Sequence, residues 1–208
     1  MKVLSLYTLC FTVLLSACSQ LPRSSTDKAA VAAATSVGID GIACVGPLPK
    51  ALAGLTAVQD TALLQQALGA TGAGKICAGQ VYQVKQPIRL YRVWDGSKSY
   101  TKLGQWWSAE LPQGPKAAYQ RANAICPAWS ALDQHVSCQL KPGSLVVIGN
   151  TQSADCAADG VLEKNGTQQW FVANDGRNNQ YLVDNCQDLG VWPAPANGAA
   201  SSGTSSNQ

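Results

Sequence analysis

Apolar residues are nearly continuous from Val3 to Leu15, then fall into spaced patterns for the rest of the chain. After Pro47 and Pro49, Leu52, Leu55, Val58 and the Leu63-Leu64 pair recur at roughly helical spacing. This predicts an amphipathic helix over 50–68, ended by Gly69 and Gly72. The period then shortens to two. Gln80 to Val84 and Ile88 to Trp94 read as strands broken at Pro87. In the second of these, Ile88, Leu90 and Arg92 share one face, while Arg89, Tyr91 and Val93 share the other. Asp95-Gly96-Ser97 is a turn, and Gly114-Pro115 opens a second helix through about Ile125, with Ala117, Ala118, Ala122 and Ile125 toward the core. Val136 to Leu140, Leu145 to Ile148, Gln168 to Val172 and Tyr181 to Val183 are short strands separated by Pro-Gly, Asn-Gly and Asp-Gly turns. An N-terminal helix followed mainly by strands predicts an α+β fold with a largely antiparallel sheet. No internal repeat interrupts this order.

The ends of the chain carry different patterns. Ser19 to Gly38 is rich in Ser, Thr and Ala and reads as a tether. Pro193 to Gln208 has no aliphatic residue larger than Ala and reads as a disordered tail. The globular domain is therefore expected over 39–192. Hydrophobic residues make up 46% of the 208, an ordinary share, but charged residues only 13%, about half the usual ~25%. A formal net charge of +3, with no cluster of Lys or Arg, argues against a nucleic-acid partner. The composition also excludes a collagen-like chain, a long coiled coil and a multi-span membrane protein.

The first run has a purpose of its own. Met1-Lys2 supplies a positive charge, and the apolar stretch after it is too short to span a bilayer, which suits a signal peptide over 1–17. Its ending, Leu15-Ser16-Ala17-Cys18, resembles the lipobox of bacterial lipoproteins, in which the cysteine thiol takes a diacylglycerol. That resemblance implies lipidation at Cys18, a tether over 18–38 and a place in the bacterial cell envelope. Ser19, where an Asp would resemble an inner-membrane retention signal, favours the outer membrane. Of the eight cysteines, Cys10 falls in the removed segment and Cys18 takes the lipid. Cys44, Cys77, Cys126, Cys138, Cys156 and Cys186 remain, an even count that predicts three disulfides in an oxidising compartment. Sequence order suggests Cys44 with Cys77, stapling the ends of the predicted helix, and Cys126 with Cys138, clipping a short loop. No pair has the C-x-x-C spacing of a zinc site or redox motif, so no metal is expected.

Most familiar catalytic sets are missing. His135 is the only histidine, and there is no G-x-S-x-G elbow, P-loop or dinucleotide G-x-G-x-x-G. Asp95, Glu110, Asp133, Asp155, Asp159 and Glu163 are scattered through turns. Three segments carry unusual chemistry. Leu90-Tyr91-Arg92-Val93-Trp94 places an arginine in an apolar strand, where it needs an anion or a carboxylate. Gly104-Gln105-Trp106-Trp107-Ser108 sets two aromatics and a hydroxyl after a glycine. Asn165-Gly166-Thr167-Gln168-Gln169-Trp170-Phe171-Val172 leads a glutamine into an apolar strand.

That order resembles the ADP-ribosyltransferase-like superfamily, in particular NAD-glycohydrolase toxin domains of the tuberculosis-necrotizing-toxin type. The matching positions are Arg92, Gly104 with Trp107 and Ser108, Pro142-Gly143 before Leu145, and Gln169, spanning about 88–172. The resemblance implies a split antiparallel sheet and an enzyme for which NAD is substrate, not cofactor. Arg92 and Gln169 would then be catalytic, with Trp107 and Ser108 binding substrate. Arg92 would grip a phosphate oxygen, Trp107 stack on the nicotinamide or ribose, and Gln169 bond the ribose hydroxyls. A glutamine cannot serve as a carboxylate base, which favours hydrolysis over transfer to a protein acceptor. The turn before Gln169, Asn165-Gly166-Thr167, departs from the family's glycine run.

A second assignment fits the same residues. Arg92 would pair with Asp95 or Glu110, Trp106, Trp107 and Trp170 would pack the core, and Gln169 would satisfy backbone groups. The chain would then be a non-enzymatic envelope lipoprotein that binds a protein partner, for example an immunity-type inhibitor. A cleft joining Arg92, Trp107 and Gln169 favours the enzyme; a flat aromatic patch with the three apart favours the binder.

Overall fold

Two antiparallel sheets face each other across a shared apolar core in a computed structural model that describes residues 36–49 and 52–194. The expected signal peptide, the lipidation site at Cys18, most of the tether and the tail from residue 195 lie outside the described residues. In chain order the strands are β1 (Leu55–Val58), β2 (Ile76–Val84), β3 (Ile88–Trp94), β4 (Trp106–Trp107), β5 (Gln134–Leu140), β6 (Leu145–Thr151), β7 (Ala154–Asp155), β8 (Val161–Leu162), β9 (Gln168–Val172) and β10 (Val183–Val191). The helices are α1 (Thr61–Ala67) and α2 (Lys116–Asn123). The larger sheet runs β1-β2-β6-β9-β4 and the smaller β10-β5-β3, while β7 and β8 pair separately.

The alternation in each strand explains the layers. Val146 and Ile148 of β6, with Trp170 and Val172 of β9, point between the sheets to meet Leu90 of β3 and Val136 and Leu140 of β5. The residues between them, Val147 and Phe171, point to the opposite face, where Leu63 and Ala67 of α1 cover them. Burial on both faces makes the Val146-Val147-Ile148 run continuously apolar. The sheets join at one edge, where Tyr91 and Ser108 exchange backbone hydrogen bonds of 2.8 and 2.9 Å.

This architecture corrects the expected α+β fold. The domain is mostly β; among the described residues there are two short α-helices, of seven and eight residues, and no helix precedes the first strand. The apolar spacing over 50–68 belongs to two elements. Leu55–Val58 pairs with Val81–Val84 as an edge strand, because β2 needs a hydrogen-bonding neighbour there. The helix starts only after Asp60, whose Oδ1 accepts the Leu63 N–H at 2.9 Å as an N-cap. Of the positions expected toward the core, Ala117 is exposed, while Ile125, just past the end of α2, packs inward with Tyr119 of the helix against Val93, Leu132 and Trp192. The last strand begins at Val183, where it was expected to end, and runs nine residues as a polar edge.

Three disulfides are formed: Cys44–Cys77, Cys126–Cys156 and Cys138–Cys186. The first matches the sequence-based pairing. The Cys126–Cys138 pairing is wrong: Cys138 lies in β5 beside β10 and reaches Cys186, and Cys126 ties the chain after α2 to the end of β7. Part of the expected tether is also folded, since Val37 bridges Ala43 and the Cys44 N–H donates to Ser36 O at 2.8 Å.

Candidate functional site

Where β3 and β4 approach the C-terminal end of α2, a cavity of about 360 Å³ opens. Arg92, Trp107 and Gln169 all line it, so the structure gathers three of the four residues singled out from sequence. Ser108 is not among its lining residues. The Ser108 backbone holds the joint to Tyr91, and its hydroxyl accepts the Glu110 N–H at 3.0 Å. His135 is also elsewhere, with Nδ1 3.0 Å from Gly190 O on β10.

Arg92 shares the inward face of β3 with Leu90, as the period-two pattern requires. Its Nε donates to Thr101 O at 2.9 Å and its Nη1 to Trp106 O at 2.7 Å, which fixes the guanidinium against the loop before β4. Gly104 makes room for this. A Cβ there would lie 2.6 Å from Nη2 and 2.8 Å from Cζ. Among the described residues no carboxylate meets the guanidinium. The ion pairs among the described residues are Lys98–Asp95, Lys102–Asp188 and Lys164–Asp40. Asp95 is buried and committed to Ser97 and Lys98, and these bonds hold its carboxyl well below the usual range. Burial pushes Arg92 down to about 10, opposed by the nearby Tyr119. Burial likewise pushes the Tyr119 phenol up to about 12, opposed by Arg92. At neutral pH the cavity therefore holds a guanidinium cation beside a neutral phenol.

Gln169 is the first buried residue of β9, at 6% exposed. Its Nε2 donates to Asn123 O at 2.8 Å and to Thr151 Oγ1 at 3.1 Å. Asn123 O can only accept, so the carboxamide must present nitrogen to it. Both amide hydrogens are thus spent, and Oε1 has no partner among the described residues. Trp107 forms an apolar wall, its indole N–H donating to Gly104 O at 2.8 Å. Trp170 is 1% exposed and belongs to the core.

Sequence reasoning did not reach the rest of the lining. Tyr119 and Asn123 come from α2, Lys75 from the turn before β2, and Trp129 from the turn after Cys126. These residues lie far apart in sequence and are brought together by long-range ties such as the Cys126–Cys156 link and the β2–β6 ladder, so no local motif marks them. The lining includes the cations Arg92 and Lys75 and no Asp or Glu. Among the described residues no group of three His, Cys, Asp or Glu could hold a metal ion.

The arrangement suits an anionic ligand with a flat ring and hydroxyl groups. A fixed guanidinium attracts phosphate, an indole wall takes a ring, and a lone amide oxygen accepts from a sugar hydroxyl. Comparison with known proteins adds no relative: no family model, curated protein or solved structure matches the chain.

Proposed function

We propose that the chain hydrolyses the nicotinamide–ribose bond of NAD. The single observation that carries this reading is that Arg92, Trp107 and Gln169 line one cavity in which the arginine has no carboxylate partner among the described residues. A partly buried guanidinium with no counter-ion among the described residues is costly unless a ligand supplies the anion. The identity of that ligand rests on the motif resemblance.

In the reaction, the C1′–N bond breaks with its electron pair passing to nicotinamide, which leaves neutral. C1′ becomes an oxocarbenium ion, water adds to it, and the water proton goes to solvent. Such a step needs positioning and electrostatics more than a strong base. Arg92, with two donors anchored on carbonyls, offers its remaining N–H groups to a phosphate oxygen. Gln169 Oε1 accepts from a ribose hydroxyl and places electron density beside the developing cation. The absence of acid from the lining leaves no base to activate a protein nucleophile, so water is the acceptor.

The same reading includes export and a lipid on Cys18 in the outer membrane. Three disulfides suit an oxidising compartment. Incorporation of labelled fatty acid that disappears in Cys18→Ser tests the anchor.

The activity test follows cleavage of a fluorogenic NAD analogue by the full, oxidised chain. Gln169→Ala and Arg92→Ala are each expected to lower kcat/KM by a factor of about 100 or more. A folded, fully oxidised chain that leaves NAD intact overturns the reading.

A further inference from the structure

We propose that Trp129 and Lys75 form a second subsite at the mouth of the cavity, which takes the purine and adjoining phosphate of a dinucleotide. This inference rests on the NAD reading of the deeper site and names which part of the substrate the mouth holds.

Size is the first reason. At about 360 Å³ the cavity lies near the lower end of the range for drug-sized ligands. A dinucleotide, with two bases, two sugars and two phosphates, exceeds such a ligand. One half fills the space beside Arg92 and Gln169, and the other half must cross the mouth.

The mouth is built for that crossing. Trp129 is 49% exposed, unlike the buried Trp107 and Trp170, yet it is not loose. Its backbone N–H donates to Cys126 O at 2.9 Å, and Cys126 is bonded to Cys156. Its six-membered ring lies against Gly74, where a Cβ would come within 3.2 Å of the indole. An indole held along one edge and open on much of its surface is a stacking platform, and base stacking on an aromatic side chain is sequence-tolerant and strong. Lys75 follows Gly74 directly, is exposed, and makes one long contact of 3.3 Å from Nζ to Gln66 O. That ammonium is free to turn toward a phosphate. Arg92 within and Lys75 at the rim give a bridging diphosphate two cations and no competing carboxylate.

The test uses the full oxidised chain with two substrates, NAD and nicotinamide mononucleotide, which lacks the purine half. Trp129→Ala is expected to lower the ratio of kcat/KM for the dinucleotide over the mononucleotide roughly tenfold. Trp129→Phe is expected to recover most of the ratio, and Lys75→Met to lower it as well. An unchanged ratio in Trp129→Ala overturns the subsite. A binding measurement separates this failure from failure of the NAD reading. ADP carries the purine and both phosphates without nicotinamide, and its titration should quench tryptophan fluorescence in the natural chain and not in Trp129→Ala. A chain that cleaves nothing but shows this difference keeps the subsite and loses the reaction. A chain whose fluorescence responds to ADP equally in both forms, or in neither, loses the subsite.

Discussion

Gly104→Ala is the sharpest perturbation of the arginine's seat. The glycine is not in the left-handed region, so alanine fits its backbone and the cost falls on contacts alone. The new methyl would lie 2.6 Å from Arg92 Nη2, 2.8 Å from Cζ and 3.2 Å from Nε. To reach an ordinary separation of about 3.5 Å, the guanidinium must retreat by close to 1 Å. Its bonds to Thr101 O and Trp106 O, at 2.9 and 2.7 Å, cannot both survive that shift. A hydrogen bond to a charged group contributes about 1.5–3 kcal/mol, so losing one sets the expected destabilisation at about 2 kcal/mol. For a domain of this size that lowers Tm by roughly 4–8 °C. The assay is a double-mutant cycle by denaturant unfolding of the oxidised chain. In an Arg92→Met background, whose shorter side chain lacks the fork, Gly104→Ala should cost little, giving a coupling of about 1.5 kcal/mol or more. Additive losses within about 0.5 kcal/mol would refute the claim that glycine serves the arginine.

Two further outcomes follow from the same kind of reasoning. Asp40 is held down at about 2, first by the Thr71 hydroxyl, then by the Ile42 N–H, with Lys164 and Gln152 adding to it against the opposing effect of burial. A depressed carboxyl contributes stability that is present above its ordinary value of 3.8 and lost as pH falls toward 2, so Asp40→Asn should flatten the acid limb of Tm against pH over that window. The Cys126–Cys156 bond closes a 30-residue separation, for which chain entropy gives about 3.6 kcal/mol; the double Cys→Ser variant should lose stability of that order, read as a shift in denaturant midpoint, and should weaken binding at Trp129.

The strand β3 was legible because its apolar positions alternate, and its arginine was conspicuous because nothing else on that face is charged. The edge strand β1 was hidden by leucines that happen to fall near helical spacing, and the Asp60 cap was the overlooked signal that the helix begins later. The strand β10 has almost no inward apolar residue beyond Val183, so only its ladder to β5 reveals it. In the site, Arg92 and Gln169 were readable as polar residues placed inside apolar strands. Ser108 was misplaced because the sheet joint uses its backbone. Tyr119, Lys75 and Trp129 carry no local oddity, and their meeting depends on long-range closure.

The cystine pattern has a bearing on how the chain reaches this fold. Cys126–Cys156 and Cys138–Cys186 overlap in sequence, each loop containing one cysteine of the other. Cys126 and Cys138 are 12 residues apart, against the 30 that Cys126 must span to its true partner. Closing the shorter loop is favoured by about 0.8 kcal/mol, close to fourfold in population, before any strand has paired. The first oxidation event in this region is thus biased toward a bond that the finished sheet cannot contain, because β5 carries Cys138 away toward β10. Chains that take that early bond reach the native pairing by thiolate exchange, on the seconds-to-hours scale set by oxidant and isomerase. In those chains the wall of the cavity that holds Trp129 can close only after that exchange.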